Sequence, residues 1–364
     1  MALPSASSAV THSYITSAIA STKDALHQSG KWRDIVSKAN PTWDWLKRKG
    51  RIDYDGGRQL AIDVLYSTDD VPVGSFSDMD ELTISRPDGA SEVYDRWAQY
   101  HFPVIISGHE KNINGGKAAK TKLIKNRFKQ AIKASAKKMS QDTWDIIGGC
   151  TLGSDTSGTE ITTGNSNKNM KSLALLVPPT ATAGGYNNGD LYGIAAAETY
   201  WAPQSHDFAD SASVQVMVDS LRNLFLSCAE FGDGQGPDLA IGDYTSYGLY
   251  IAALDTKVRY TQVEKGDMGF RGVMCNGATL FPDTYVPDPE AGANYGSRAN
   301  GAIYMLDTDH IFLAYLAGMD FKPGPVQMPV NQNIEVVNHF AELQLYIDHR
   351  SCHGVAWDIP TAWD

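Results

Sequence analysis

Between Lys111 and Lys138 the chain carries ten basic residues and no acidic one. Setting those 28 residues aside leaves 336, which hold 21 basic residues against all 42 acids, so the protein is an acidic body with one basic segment. Within that segment Ile124, Phe128, Ala131, Ile132, Ser135 and Met139 recur at intervals of three and four, the spacing of a single apolar stripe along a helix. Lys117, Lys120, Lys125, Arg127, Lys129, Lys133 and Lys137 take much of the remaining circumference. The spacing predicts a helix over residues 115–147, ended by Gly148-Gly149 and roughly 45 to 50 Å long. A rod of this kind must lay one side on apolar surface and turn the other to water or to negative charge.

Three readings fit the basic side. A solvated helix face usually mixes charge signs for support between residues four apart, and here the sign is uniform. A membrane-surface helix calls for abundant Trp, Phe and Leu on its other face, and this stripe is modest. Attraction to nucleic-acid phosphate needs positive charge and no base-reading geometry, so it fits the segment best.

From Arg51 to Glu110 there is no lysine, and the pattern changes to strand. Residues 59–66 alternate in part, a polar tip rich in Asp, Ser and Gly follows, and 94–107 reads as one long returning strand. The two predict an extended hairpin, which is marginal alone in water and should lie on a neighbouring subunit. Ahead of it, Ile15, Ile19 and Leu26 mark a helical arm, and Pro41 opens a short turn in which Trp43, Trp45 and Leu46 would anchor that arm.

A polar loop over 153–171 precedes a second compact unit. It contains an expected strand at 173–177, a helix near 211–230 with the stripe Val214, Val218, Leu221, Leu224, Phe225 and Cys228, a buried strand at 237–241 and a helix at 244–257. From Ser172 to Thr256 only Arg222 is basic, against ten acids, so this unit should not attract nucleic acid. Short strands are expected at 302–306 and 310–315. The end of the chain, 341–359, reads as a closing hairpin turning at 349–354.

Chemistry is sparse. The cysteines at 150, 228, 275 and 352 stand singly and read as reduced thiols, and the nine histidines form no zinc-binding helix pattern. His349 and His353 lie across a turn, and Cys352 beside them lacks the second half of a metal site. The glycine run at 232–236 follows a helix and precedes a strand, the reverse of a phosphate-binding loop, and reads as a turn. No catalytic constellation, cofactor or metal is expected. The start of the chain lacks a basic, apolar leader, and no stretch approaches a membrane span, so neither export nor membrane insertion is expected.

The order of the pieces carries a resemblance. An arm, a ribbon opening on Gly-Gly-Arg-Gln-Leu, a long helix, an α/β unit with Pro-Asp-Leu-Ala-Ile-Gly, a Phe-Arg-Gly-Val segment with Phe-Pro-Asp after it, and a strand-rich end together resemble the major capsid proteins of tailed bacteriophages. The resemblance implies an α+β protein of the Hong Kong 97 type. Residues 1–50 would be the N-terminal arm, 51–110 the extended E-loop, 111–171 the peripheral domain with its spine helix, 172–325 the axial domain, and 326–364 return strands of the peripheral domain. It also implies a non-enzymatic subunit that assembles into hexamers and pentamers of a virion in the bacterial cytoplasm and encloses double-stranded DNA. Scaffolding and portal proteins, and a cement protein where one is used, would be separate partners. The basic helix would face the lumen, and Arg58, Asp69, Asp70, Arg86 and Arg96 would make contacts between subunits. Some relatives are stapled by an isopeptide bond from an E-loop lysine; without lysine in 51–110 this shell would be held non-covalently. The alternative within the same fold is an encapsulin-type nanocompartment shell.

Overall fold

Asn40 accepts backbone N–H bonds from Thr42 and Trp43 at 2.8 and 3.3 Å, and Pro41 sits at the first helical position, so a helix starts here (α1, Pro41–Lys49). The computed structural model describes residues 40–65, 90–113, 117–144, 169–179, 200–208, 214–232, 234–256, 272–287 and 300–360, with a few isolated positions between them. The helical arm expected before residue 40 lies outside the described residues. Gly50 ends α1 where a Cβ would meet the Ile311 carbonyl oxygen at 2.5 Å, a position only glycine fills without displacing backbone.

Strands β1 (Arg51–Tyr54), β2 (Leu60–Leu65), β3 (Ala90–Asp95) and β4 (Ala98–Ser107) follow. After the short α2 (Gly108–Ile113) comes α3 (Lys117–Trp144), the basic helix, 28 residues and so about 42 Å long. Of the expected helix over 115–147, residues 115–116 and 145–147 lie outside the described residues. The apolar run at 173–177, expected as a strand, is instead a short buried helix, α4 (Leu173–Leu176). An apolar run of five residues shows no period of its own, so tertiary packing decides its form.

The rest runs β5 (Gln204–Asp207), α5 (Val214–Phe231), β6 (Leu239–Gly242), α6 (Tyr244–Thr256), β7 (Val273–Cys275), β8 (Ala278–Pro282), β9 (Gly301–Leu306), β10 (Ile311–Leu316), β11 (Lys322–Gln327), β12 (Ile334–Ile347) and β13 (Gly354–Ile359). A five-stranded sheet is built around the 14-residue β12, which pairs antiparallel with β4, β10 and β11, while β1 joins β10 in parallel. A six-stranded sheet has the order β5-β13-β9-β6-β8-β7. The pair β2-β3 forms a separate two-stranded ribbon.

Two sequence expectations change here. The long returning strand at 94–107 is two strands: β3 pairs with β2 in the ribbon, and beyond Arg96-Trp97 β4 pairs with β12 in the five-stranded sheet. The closing hairpin over 341–359 does not form either. The turn at 348–353 carries the chain out of one sheet into the other, so β13 pairs with β9 and β5 and not with β12.

One apolar cluster lies between the sheets and takes in α1, α3 and α4. Along β9 the sides alternate: Ala302, Tyr304 and Leu306 enter this cluster, while Ile303 and Met305 enter a second one under α5 and α6 with Met217, Leu221, Leu224 and Cys228. The central strands of the six-stranded sheet are thus buried on both faces, which is why β6 and β9 read as continuous apolar runs.

Candidate functional site

Helix α3 lies on the five-stranded sheet through Ile124, Phe128, Ile132 and Met139, all buried in the cluster that holds Tyr100, Phe102 and Val104 of β4. Phe128 meets the ring of His339 on β12 edge to face at 6.0 Å. This is the stripe read from the sequence, and it fixes which way the lysines point. Lys125, Lys129, Lys133 and Lys137 are all exposed. Four residues apart, they form one ridge with a charge about every 6 Å along the axis. Among the described residues none of the four has an acidic partner.

Arg127 behaves differently. It is half-buried, pairs with Glu110 and donates to Gln130 Oε1 at 3.0 Å, so its charge is engaged within the subunit. Lys138 is likewise bound to Asp142 at 2.7 Å. Lys117 and Lys120 belong to the first turn of α3, and their side chains lie outside the described residues.

In the ribbon, Leu60, Ile62 and Val64 are buried while Ala61 and Asp63 between them are exposed, so one face is covered and the other open. At its base Asp95 pairs with Lys171 at 3.0 Å, both nearly buried, and the Lys171 ammonium lies 4.4 Å from the Tyr192 ring centroid. Gln344 of β12 accepts from the Lys171 backbone at 3.0 Å and donates to the Arg96 carbonyl at 2.9 Å, clamping the point where the ribbon leaves the sheet. Arg58 and Arg96 are exposed near this base, while Asp69, Asp70 and Arg86 lie outside the described residues. Alternate residues of β4, Gln99, His101, Pro103 and Ile105, form an open sheet face on the side away from α3.

The structure also brings together three residues that sequence reading left apart. One donor atom each from His310, His349 and Cys352 lie within 4.8 Å of one another. His349 and Cys352 were visible as neighbours, but His310 belongs to the 308–310 turn before β10 and no spacing rule connects it to them. Among the described residues no helix is long and apolar enough to cross a membrane.

No family model matches the chain, and no curated protein matches it by sequence. Solved structures do match it over most of its length. The capsid asymmetric unit of cyanophage A-1(L) superposes with a TM-score of 0.56 at 13% identity, covering 88% of this chain and 92% of that one. The holo-SrpI encapsulin complex from Synechococcus elongatus PCC 7942 gives 0.51 at 9% identity, covering 88% and 89%. At such identities the likeness is one of fold alone: a mixed helix-and-sheet fold of the Hong Kong 97 type, shared with these capsid and encapsulin structures.

Proposed function

We propose that this chain is the major capsid protein of a tailed bacteriophage, assembling through hexamers and pentamers into a head that encloses double-stranded DNA. The observation that carries the proposal is the likeness over 88% of the chain to a cyanophage capsid subunit, in a molecule whose long helix carries the exposed ridge Lys125, Lys129, Lys133 and Lys137. On this reading α3 is the spine helix and its ridge of Lys125, Lys129, Lys133 and Lys137 faces the packaged genome, where sequence-independent attraction to phosphate suffices. The acidic remainder faces water and neighbouring subunits.

The ribbon β2-β3 then belongs to an E-loop that overlaps the next subunit, with Arg58, Asp69, Asp70, Arg86 and Arg96 at or near that contact. The six-stranded sheet with α5 and α6 forms the axial domain, and residues 1–50 the N-terminal arm. Cohesion of the shell is non-covalent, because residues 51–110 offer no lysine for an isopeptide staple. Scaffolding, portal and cement proteins are separate chains, the shell is assembled in a bacterial cytoplasm, and no enzymatic step is required of this subunit.

The test is to express the full chain and image it by electron microscopy. Closed shells that dissociate to single chains in boiling detergent are expected; a protein that stays monomeric at high concentration, with no capsomers or shells, overturns the reading. The likeness to the SrpI encapsulin supports a second reading, a nanocompartment shell. Particles from the native source decide between them: a genome-filled head with one portal vertex supports the phage capsid, and a shell filled with protein cargo supports the encapsulin.

A further inference from the structure

The 308–310 turn before β10 and the 348–353 crossover between the two sheets lie side by side, and His310, His349 and Cys352 converge there. We propose that this cluster binds one divalent metal ion of the zinc class, clasping the crossover to the start of β10. Two imidazoles and a thiolate are a donor set suited to a borderline ion, and they leave a fourth position for water.

Each outer ligand already has the partner that would orient it. His310 Nδ1 is bonded to Asp348 Oδ1 at 2.9 Å, which leaves Nε2 for the ion in the carboxylate–histidine–metal arrangement that fixes ring and tautomer. His353, fully buried, accepts the Asp307 backbone N–H on Nδ1 at 3.0 Å. Its proton therefore sits on Nε2, 3.6 Å from Cys352 Sγ, where it can donate to a thiolate. Cys352 Sγ–H now donates to the His349 carbonyl at 3.1 Å; ligation replaces that proton, which leaves to solvent.

The rings of His310 and His349 stand edge to face with centroids 5.4 Å apart. His349 Nε2 meets the Ser351 hydroxyl at 3.0 Å, so its ligating atom is Nδ1, or Nε2 once that hydroxyl turns away. Bond lengths of about 2.0 Å to nitrogen and 2.3 Å to sulfur place donors of a tetrahedral site about 3.3 to 3.7 Å apart. The present separations close to that range by side-chain rotation of two half-exposed histidines around a buried sulfur. Charge also agrees: a thiolate and the Asp348 carboxylate neutralise a divalent ion, with Asp307 and Asp309 adding to the negative surroundings of His310.

The site is independent of what the shell encloses, and it is tested on the full chain, stripped with chelator and titrated with Co2+ alone. The expected result is one Co2+ per chain, with a sulfur-to-cobalt charge-transfer band, intense visible bands of a tetrahedral site, and displacement by Zn2+. Cys352→Ser removes the charge-transfer band. His310→Gln, a change at a half-exposed position that folding should tolerate, weakens binding at least about tenfold. Asp348→Asn weakens it about 10- to 100-fold while keeping the bands. Should circular dichroism show that Cys352→Ser fails to fold, His310→Gln decides alone. A wild-type chain with no charge-transfer band, or bands unaltered in His310→Gln, overturns the proposal and leaves His310 and Asp348 as an ion pair only.

Discussion

Trp144, the last residue of α3, donates its indole N–H to Asp283 Oδ2 at 3.1 Å, tying the end of the basic helix to the loop after β8. The same buried carboxylate accepts from the Thr42 hydroxyl on Oδ2 and, on Oδ1, from Asn40 Nδ2 at 3.2 Å and the Tyr285 backbone at 2.9 Å. The Asp283 backbone N–H bonds the Gly242 carbonyl at 2.8 Å. One residue thus holds together the N-cap of α1, the C-terminal end of α3 and, through its backbone, the six-stranded sheet.

Removing that carboxylate strands four donors in a dry interior. Asp283→Ala is expected to cost about 3 kcal/mol or more, because each unsatisfied buried donor carries a desolvation penalty. Trp144→Phe, which leaves three donors on the carboxylate, should cost less, about 1 to 2 kcal/mol. Urea midpoints of the soluble chain give the ranking, and equal costs would show that the indole bond dominates the node.

The pair Asp95–Lys171 at the base of the ribbon is a buried charge pair, and such pairs are costly to break from one side. Lys171→Met is expected to destabilise by about 3 to 5 kcal/mol through the uncompensated Asp95 carboxylate. The double variant Lys171→Met with Asp95→Leu should recover most of that loss, since an apolar pair of similar volume needs no desolvation. A double-mutant cycle measures the coupling; additive costs would mean that the two charges are effectively solvated.

Periodic features survived from sequence to structure, and features set by long-range pairing did not. The stripe Ile124, Phe128, Ile132 and Met139 repeats over a helix of 28 residues, so it was legible without tertiary information. The break at Arg96-Trp97 was invisible because β3 and β4 both read as strand and differ only in partner, one with β2 and the other with β12. Likewise an alternating run, a turn and a second strand suggest a hairpin, yet β12 and β13 enter different sheets. Arg350 in that turn, buried and donating from Nε to the Leu176 carbonyl at 2.8 Å, is pulled inward by a helix 174 residues away in sequence. Of the basic residues, Arg127 looked like its neighbours; Glu110, 17 residues upstream, takes it out of the ridge. His310 joined His349 and Cys352 only once β10 was paired with β12.

The lysine ridge makes a graded prediction. Replacing Lys125, Lys129, Lys133 and Lys137 together by Gln keeps helix propensity and should shift stability by no more than about 0.5 kcal/mol. If the ridge meets phosphate, the slope of log affinity for duplex DNA against log salt falls by about 0.9 per lost contact, up to about 3.6 for four. Arg127→Gln, which removes a charge already paired within the subunit, should leave the slope unchanged. Binding measured from low to moderate salt reads both, and a slope indifferent to the four-lysine change removes the ridge from any role at DNA.

The buried thiols report on whether α5 stays docked on the six-stranded sheet. Burial pushes the Cys228 thiol up to about 12 and Cys275 up to about 11, and drives Cys352 upward as well. Cys228 Sγ is packed so closely on β13 that a Cβ at Gly354 would stand 2.7 Å from it. Only the thiolate attacks an alkylating agent, and at pH 8 a thiol titrating near 11 is ionised in about one chain in a thousand, against roughly a quarter at an ordinary 8.5. Labelling of both Cys228 and Cys275 in the native chain should therefore be slow at pH 8 and rise as the pH is raised. Residue-resolved mass spectrometry after timed iodoacetamide exposure reads both, with the urea-unfolded chain labelled throughout. Rapid labelling of Cys228 at pH 8 would mean instead that α5 lifts from the sheet in the native protein, and that the second apolar cluster opens well below the free energy of global unfolding.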